Sequence, residues 1–224
     1  MDFVAGNLGS NNKYNADELH PMKLFYSDMD KNGSFDPLLC YYIVTKSGKR
    51  ELLPGITLGQ FSEQVPSIKK QFIYNADYAK AGIQSVLNET GIDGSSELTC
   101  FELKSCWFEN KGNGKFEKHP LPSEAQFAPI NAIVCEDFNK DNIIDILVAG
   151  NEYQADVMTG RYDASYGLLL KGNSNKIFSA TALHESDFIM SGDCRDLKII
   201  NTSTSKKLII GSSNNGKLKI FKEN

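Results

Sequence analysis

Short apolar, β-branched or aromatic runs alternate along this chain with clusters of Asn, Gly and Asp. That punctuation predicts strands joined by tight turns. The runs cover residues 22–26, 37–44, 98–108, 130–135, 144–149, 168–170, 197–200, 208–211 and 218–221. Between them, 110–114, 172–175 and 213–216 hold the turn residues Asn, Gly and Ser. One stretch breaks the pattern. Between Thr57 and Asn88, Tyr74, Tyr78, Ile83 and Leu87 recur at helical spacing, so one or two helices are expected there between strands.

The runs also repeat. An apolar strand, an Asp-rich turn and a second apolar strand ending near Gly-Asn occupy 22–44 and again 130–151. Residues 2–7 read as the end of a third copy, and 193–211 as a fourth whose turn is Asn201-Thr202-Ser203-Thr204-Ser205. A strand of the Gly-Lys-Phe or Lys-Ile-Phe kind recurs at Gly114-Lys115-Phe116, Lys176-Ile177-Phe178 and Lys219-Ile220-Phe221. A recurring multi-strand unit is the signature of propeller blades or a related array. Because the first residues read as half of a strand pair, the chain is expected to be a piece of a longer precursor with Met1 added to it.

The Asp-rich turns carry the candidate chemistry. The first is Asp28-Met29-Asp30-Lys31-Asn32-Gly33-Ser34-Phe35-Asp36, with oxygen side chains at positions 1, 3, 5 and 9. Position 7, Ser34, can offer its backbone carbonyl. The second, Asp137-Phe138-Asn139-Lys140-Asp141-Asn142-Ile143-Ile144-Asp145, repeats the spacing, with the Ile143 carbonyl at position 7. Ca²⁺ takes six to eight oxygens at about 2.3–2.6 Å, which alternating Asp and Asn in a tight turn can supply. Gly33 at position 6 allows the positive φ of a fold-back, and Asn142 is the next most tolerant residue there. Three carboxylates in one turn repel unless a cation joins them. An EF-hand would need Glu at position 12 and helical flanks. Leu39 and Val148 stand at that position, and the flanks are strand-like.

Composition narrows the partners. A net charge of −4 argues against a nucleic-acid surface, and no apolar stretch reaches the roughly 18 residues of a membrane helix. The five cysteines form no CxxC pair and read as small buried hydrophobes, with Cys100 and Cys106 the pair most open to a disulfide. His20, His119 and His184 have no nucleophile beside them in a recognised motif, and Trp107 reads as core. Gly160-Arg161-Tyr162-Asp163 follows an apolar strand in a loop-like stretch. Arg161, Tyr162 and Asp163 are candidate anchors for a protein or glycan, or else Arg161 braces the loop against a carboxylate.

Both acidic turns resemble the D-x-D/N-x-D/N-G-x-x-D calcium loop of the FG-GAP, or VCBS, repeat family, whose members include integrin α-subunit propellers. Asn142 is the one departure. More narrowly, Gly6-Asn7-Leu8-Gly9, residues 121–126, 160–165 and Gly192-Asp193-Cys194-Arg195 are similar to the C-terminal part of long secreted FG-GAP proteins related to cartilage acidic protein. The resemblance implies an all-β fold: one partial β-propeller domain over 1–224, of three to four blades, with a helical insertion around residues 57–90, reaching to 93. It implies structural Ca²⁺ at about two sites, held by Asp28, Asp30, Asn32, Ser34 and Asp36, and by Asp137, Asn139, Asp141, Ile143 and Asp145. It implies a secreted, periplasmic or cell-surface setting. A complete propeller has about seven blades, so the open edges are expected to pack on missing blades, on a second copy or on the inserted helices. The expected function is a non-enzymatic, calcium-stabilised interaction module for a protein or glycan. The alternative is an extracellular carbohydrate-active enzyme or accessory domain, which needs two carboxylates facing across a cleft.

Overall fold

The structure, a computed structural model, describes residues 1–89, 96–202 and 207–222. In chain order the strands begin with β1 (Phe3–Ala5), β2 (Met22–Ser27), β3 (Asp36–Val44) and β4 (Arg50–Pro54). The helices α1 (Leu58–Gln64), α2 (Asn75–Tyr78) and α3 (Ile83–Glu89) come next. Then follow β5 (Ser96–Cys100), β6 (Cys106–Gly112), β7 (Lys115–Pro120), β8 (Ile130–Glu136), β9 (Asp145–Gly150), β10 (Leu168–Lys171) and β11 (Ser179–Ala180). After α4 (Leu183–Ser186), β12 (Cys194–Asn201), β13 (Lys207–Ser213) and β14 (Lys219–Lys222) close the chain. The described residues are mostly β, in four antiparallel sheets with no closed barrel. No helix among them is long and apolar enough to cross a membrane.

The chain divides into two compact units, Met1–Asn12 with Lys104–Asn224, and Lys13–Leu103. In the first, three sheets stack in layers: β1-β6-β7, then β11-β10-β9-β8, then β12-β13-β14. The middle sheet explains why 144–149 is an unbroken apolar run. All of β9 is buried. Ile146 and Val148 pack with Trp107, Leu121, Ala125 and Val4 of the first sheet's side, while Leu147 and Ala149 pack with Met190, Leu197 and Ile209 on the other. A strand covered on both faces needs no polar alternation. The outermost faces carry exposed apolar side chains among polar ones: Phe3, Phe108 and Phe116 cluster on one, beside Lys118, and Ile200 and Ile220 point out on the other, beside Asp196 and Lys198.

In the second unit, β4-β3-β2-β5 form one sheet. Phe25, Leu38 and Cys40 of that sheet bury against Phe61, Val65, Ile68, Tyr78 and Val86 of the helical stretch. Helix α1 starts on a capping box: the Gln60 N–H donates to the Thr57 hydroxyl oxygen and the Thr57 N–H to the Gln60 side chain. The helical region is more divided than its spacing suggested, with a 3-10 turn at Pro66–Lys70 between α1 and α2. Pro66 has no N–H to continue α1. The expected strand 98–108 is two strands, β5 and β6, with irregular chain between them. Strand β4 carried too weak an alternation to be read. Residues 90–93 of the helical region and 203–205 of the fourth-copy turn lie outside the described residues.

All five cysteines are free thiols. Cys100 Sγ donates to the Glu102 carbonyl and Cys106 Sγ to the Lys104 carbonyl, and burial pushes the Cys194 thiol up to about 11.

Candidate functional site

The two acidic nonapeptides join β2 to β3 and β8 to β9, in the two different units. Their backbones coincide in conformation. Lys31 and Lys140 at position 4 have φ of 61° and 62°, and Gly33 and Asn142 at position 6 have 91° and 66°. Their hydrogen bonds coincide as well. Position 1 holds the fold-back: Asp28 Oδ1 and Oδ2 accept from Asn32 N–H and Gly33 N–H, as Asp137 Oδ1 and Oδ2 accept from Asp141 N–H and Asn142 N–H. The position 5 N–H also donates to position 3, Asp30 Oδ1 or Asn139 Oδ1. Position 7 takes part through its N–H, Ser34 donating to Asn32 Oδ1 and Ile143 to Asp141 Oδ1, both at 2.8 Å.

Position 9 closes each loop from below. Asp36 is 5% exposed and Asp145 fully buried. Asp36 Oδ2 accepts from Met29 N–H at 2.8 Å, and Asp145 Oδ2 from Phe138 N–H at 3.2 Å. Asp145 Oδ1 further accepts from Gly172 N–H at 2.9 Å, tying the loop to the turn after β10. The apolar position 2 residue anchors each loop: Met29 is buried in the core of its unit, and Phe138 packs against Leu147 and Ile209's cluster.

The fit to a hard cation differs between loops. Carboxylate oxygens of Asp28, Asp30 and Asp36 lie within 4.8 Å of one another. Carboxylates brought this close repel one another, which a bound cation would relieve. In the second loop Asn139 replaces the position 3 carboxylate and donates from Nδ2 to Asp141 Oδ2 at 2.8 Å, so its three carboxylates do not converge as tightly. Both donor sets are oxygen-only and suit Ca²⁺. Most of the oxygens that accept from backbone N–H have a second lone pair free for a metal.

The structure sets Arg161, Tyr162 and Asp163 in the loop after β9. Tyr162 pairs by backbone with Glu152 through bonds of 2.8 and 2.9 Å, and the Arg161 guanidinium lies over the Tyr153 ring at 4.8 Å. The brace of this loop is therefore an aromatic ring in place of the expected carboxylate. Glu152 instead takes a two-pronged pair from Arg195, at 3.0 and 3.1 Å, which holds its carboxyl below the ordinary range. At the loop tip Val157 and Met158 are 92% and 71% exposed.

Buried polar joints were the residues sequence reasoning missed. Asn151, 1% exposed, donates from Nδ2 to the Ser165 and Gly192 carbonyls and accepts from Ser165 N–H. Gln126 accepts from Ser105 N–H and donates to the Ser105 and Leu121 carbonyls. The available signal was the recurrent Gly-Asn that ends the repeats. Gly150 lies so close to the Pro129 carbonyl that any Cβ would overlap it, and Gly6 is set the same way against Ile130.

No family model, curated protein or solved structure matches the chain.

Proposed function

We propose that this chain is a calcium-stabilised, non-enzymatic interaction module built from FG-GAP-type propeller blades, and that it works outside the cytoplasm. The observation that carries this reading is the congruence of the two acidic loops. Separated by a hundred residues of sequence, they repeat the same left-handed positions and the same five hydrogen bonds. Asp28, Asp30, Asn32 and Asp36 with the Ser34 carbonyl would hold one ion. Asp137, Asn139, Asp141 and Asp145 with the Ile143 carbonyl would hold the other. The ions neutralise the carboxylates, pin the turns and fix the register of the flanking strands. The layered stack of three sheets supports the blade reading, since consecutive blades pack face to face. The outer faces bearing Phe116 and Ile220 are where further blades or a second copy would stack. A protein or glycan partner would meet the loop carrying Val157, Met158, Arg161, Tyr162 and Asp163, whose apolar tip is exposed.

Thermal unfolding of the chelator-stripped protein, with Ca²⁺ titrated back, tests the metal. At ten times its Kd a ligand of the native state adds about 1.4 kcal/mol per site. The midpoint should rise by several degrees with Ca²⁺ and much less with Mg²⁺. Asp28→Ala and Asp137→Ala should each remove part of the rise. An unchanged midpoint, or an equal response to Mg²⁺, reduces the loops to acidic turns and removes the main support for the family reading.

A further inference from the structure

Another set of ligating atoms lies on the β1-β6-β7 sheet. Glu109 pairs across strands with Glu117, and Trp107 with His119, so these four side chains share one face. Glutamate oxygens and an imidazole nitrogen lie within 4.8 Å of one another. His119 Nε2 is 3.8 Å from Glu109 Oε2 and 3.7 Å from Glu117 Oε1. That nitrogen is shielded from solvent and has no hydrogen-bond partner, which a buried polar atom rarely tolerates. The ring is held in this orientation by stacking on Trp107, with centroids 4.4 Å apart and planes 16° apart. Two atoms bound to one first-row divalent ion at about 2.0–2.2 Å lie about 3–4 Å from each other. The two nitrogen–oxygen spacings already fall in that range.

One group already sits between the carboxylates. Lys111 Nζ is 2.7 Å from Glu109 Oε2 and 2.9 Å from Glu117 Oε2. It projects from the hairpin tip at Gly112-Asn113-Gly114 and is about half exposed, so its stem can swing into water. Lys176 holds the other Glu109 oxygen at 2.6 Å.

We propose that Glu109, Glu117 and His119 form a zinc-type divalent metal site, for which the Lys111 ammonium is the built-in competitor. One nitrogen and two oxygens leave coordination positions open, and an imidazole ligand favours Zn²⁺ or Co²⁺ over Ca²⁺. The site is thus independent of the acidic loops. Running the test in excess Ca²⁺ keeps any binding at those loops apart from the signal of this site.

The test uses Co²⁺ as a visible probe on the full chain in excess Ca²⁺, followed by displacement with Zn²⁺. A 1:1 ligand-field band should appear, tighten on the order of tenfold in Lys111→Ala, and vanish on Zn²⁺ addition. It should be lost in His119→Ala and in Glu117→Gln. The second substitution, at a half-exposed position, leaves the Trp107–His119 stack in place, and melting curves of both report folding. No band in Lys111→Ala, or a band that either loss variant leaves unchanged, overturns the proposal.

Discussion

Asp145→Ala should lower unfolding stability by about 4 kcal/mol, and most of that loss should persist with calcium chelated. The carboxylate is wholly buried and accepts Phe138 N–H through one oxygen and Gly172 N–H through the other. Alanine strands both donors, and each unsatisfied buried group costs about 1–3 kcal/mol, more when its lost partner was charged. A cavity the size of a carboxylate adds to the loss. Asp36 holds the same position in the other loop but has a single backbone donor, Met29 N–H, so Asp36→Ala should cost about half as much. Asp28 and Asp137 sit nearer the surface, and their substitution should act mainly through calcium. Urea unfolding of all four variants, with Ca²⁺ and with chelator, separates the two contributions. If Asp145→Ala in chelator lies within about 1 kcal/mol of the parent protein, the buried carboxylate is not the brace described.

The sequence made the strands readable where burial imposes a simple pattern. Residues 22–26, 130–135 and 197–200 each fall within an observed strand, because one or both faces are buried and the apolar residues follow the pleat. The acidic loops were legible for a different reason. Their geometry depends on side chains at fixed offsets within nine residues, so position in the sequence is position in space. Strand β4 was not legible. Arg50 and Glu51 are exposed and only Leu53 is buried, and its place beside β3 is set by pairing that no local pattern reveals. The region 57–88 was readable as helical but not as three short helices and a 3-10 turn, since tertiary contacts of Phe61, Val65, Ile68 and Tyr78 decide where each segment stops. The His119 cluster was invisible for the same reason as β4: Glu109, Glu117 and His119 meet only through the register of β6 with β7.

Asn151 supplies the second large effect, and three substitutions there should separate its two roles. Its φ of +81° is one that Gly adopts freely and Asn tolerates, and its side chain makes three hydrogen bonds, at 2.8, 2.9 and 3.0 Å. Asn151→Gly keeps the backbone relaxed but leaves two carbonyls and one N–H unsatisfied, a loss of about 3 kcal/mol. Asn151→Ala adds the cost of a left-handed alanine, about 1 kcal/mol more. Asn151→Asp should be worst, because a carboxylate oxygen then faces the Ser165 and Gly192 carbonyls with no proton to share. Stability should fall in the order Gly, Ala, Asp in denaturant titrations. A Gly variant as stable as the parent would mean that the side-chain bonds contribute nothing, and equal losses in Gly and Ala would mean that the left-handed backbone costs nothing. The same ladder reaches the loop beyond β9, because Asn151 ties the end of β9 to both Ser165 and Gly192 and so closes the loop that carries Arg161 and the exposed Val157-Met158 tip. Limited proteolysis between Glu152 and Ser165 should quicken in the same order, well below the concentration of denaturant that unfolds the unit. The loop, tied down by this buried amide as well as by the Glu152–Tyr162 backbone pair, would then lose its shape before the sheets behind it lose theirs.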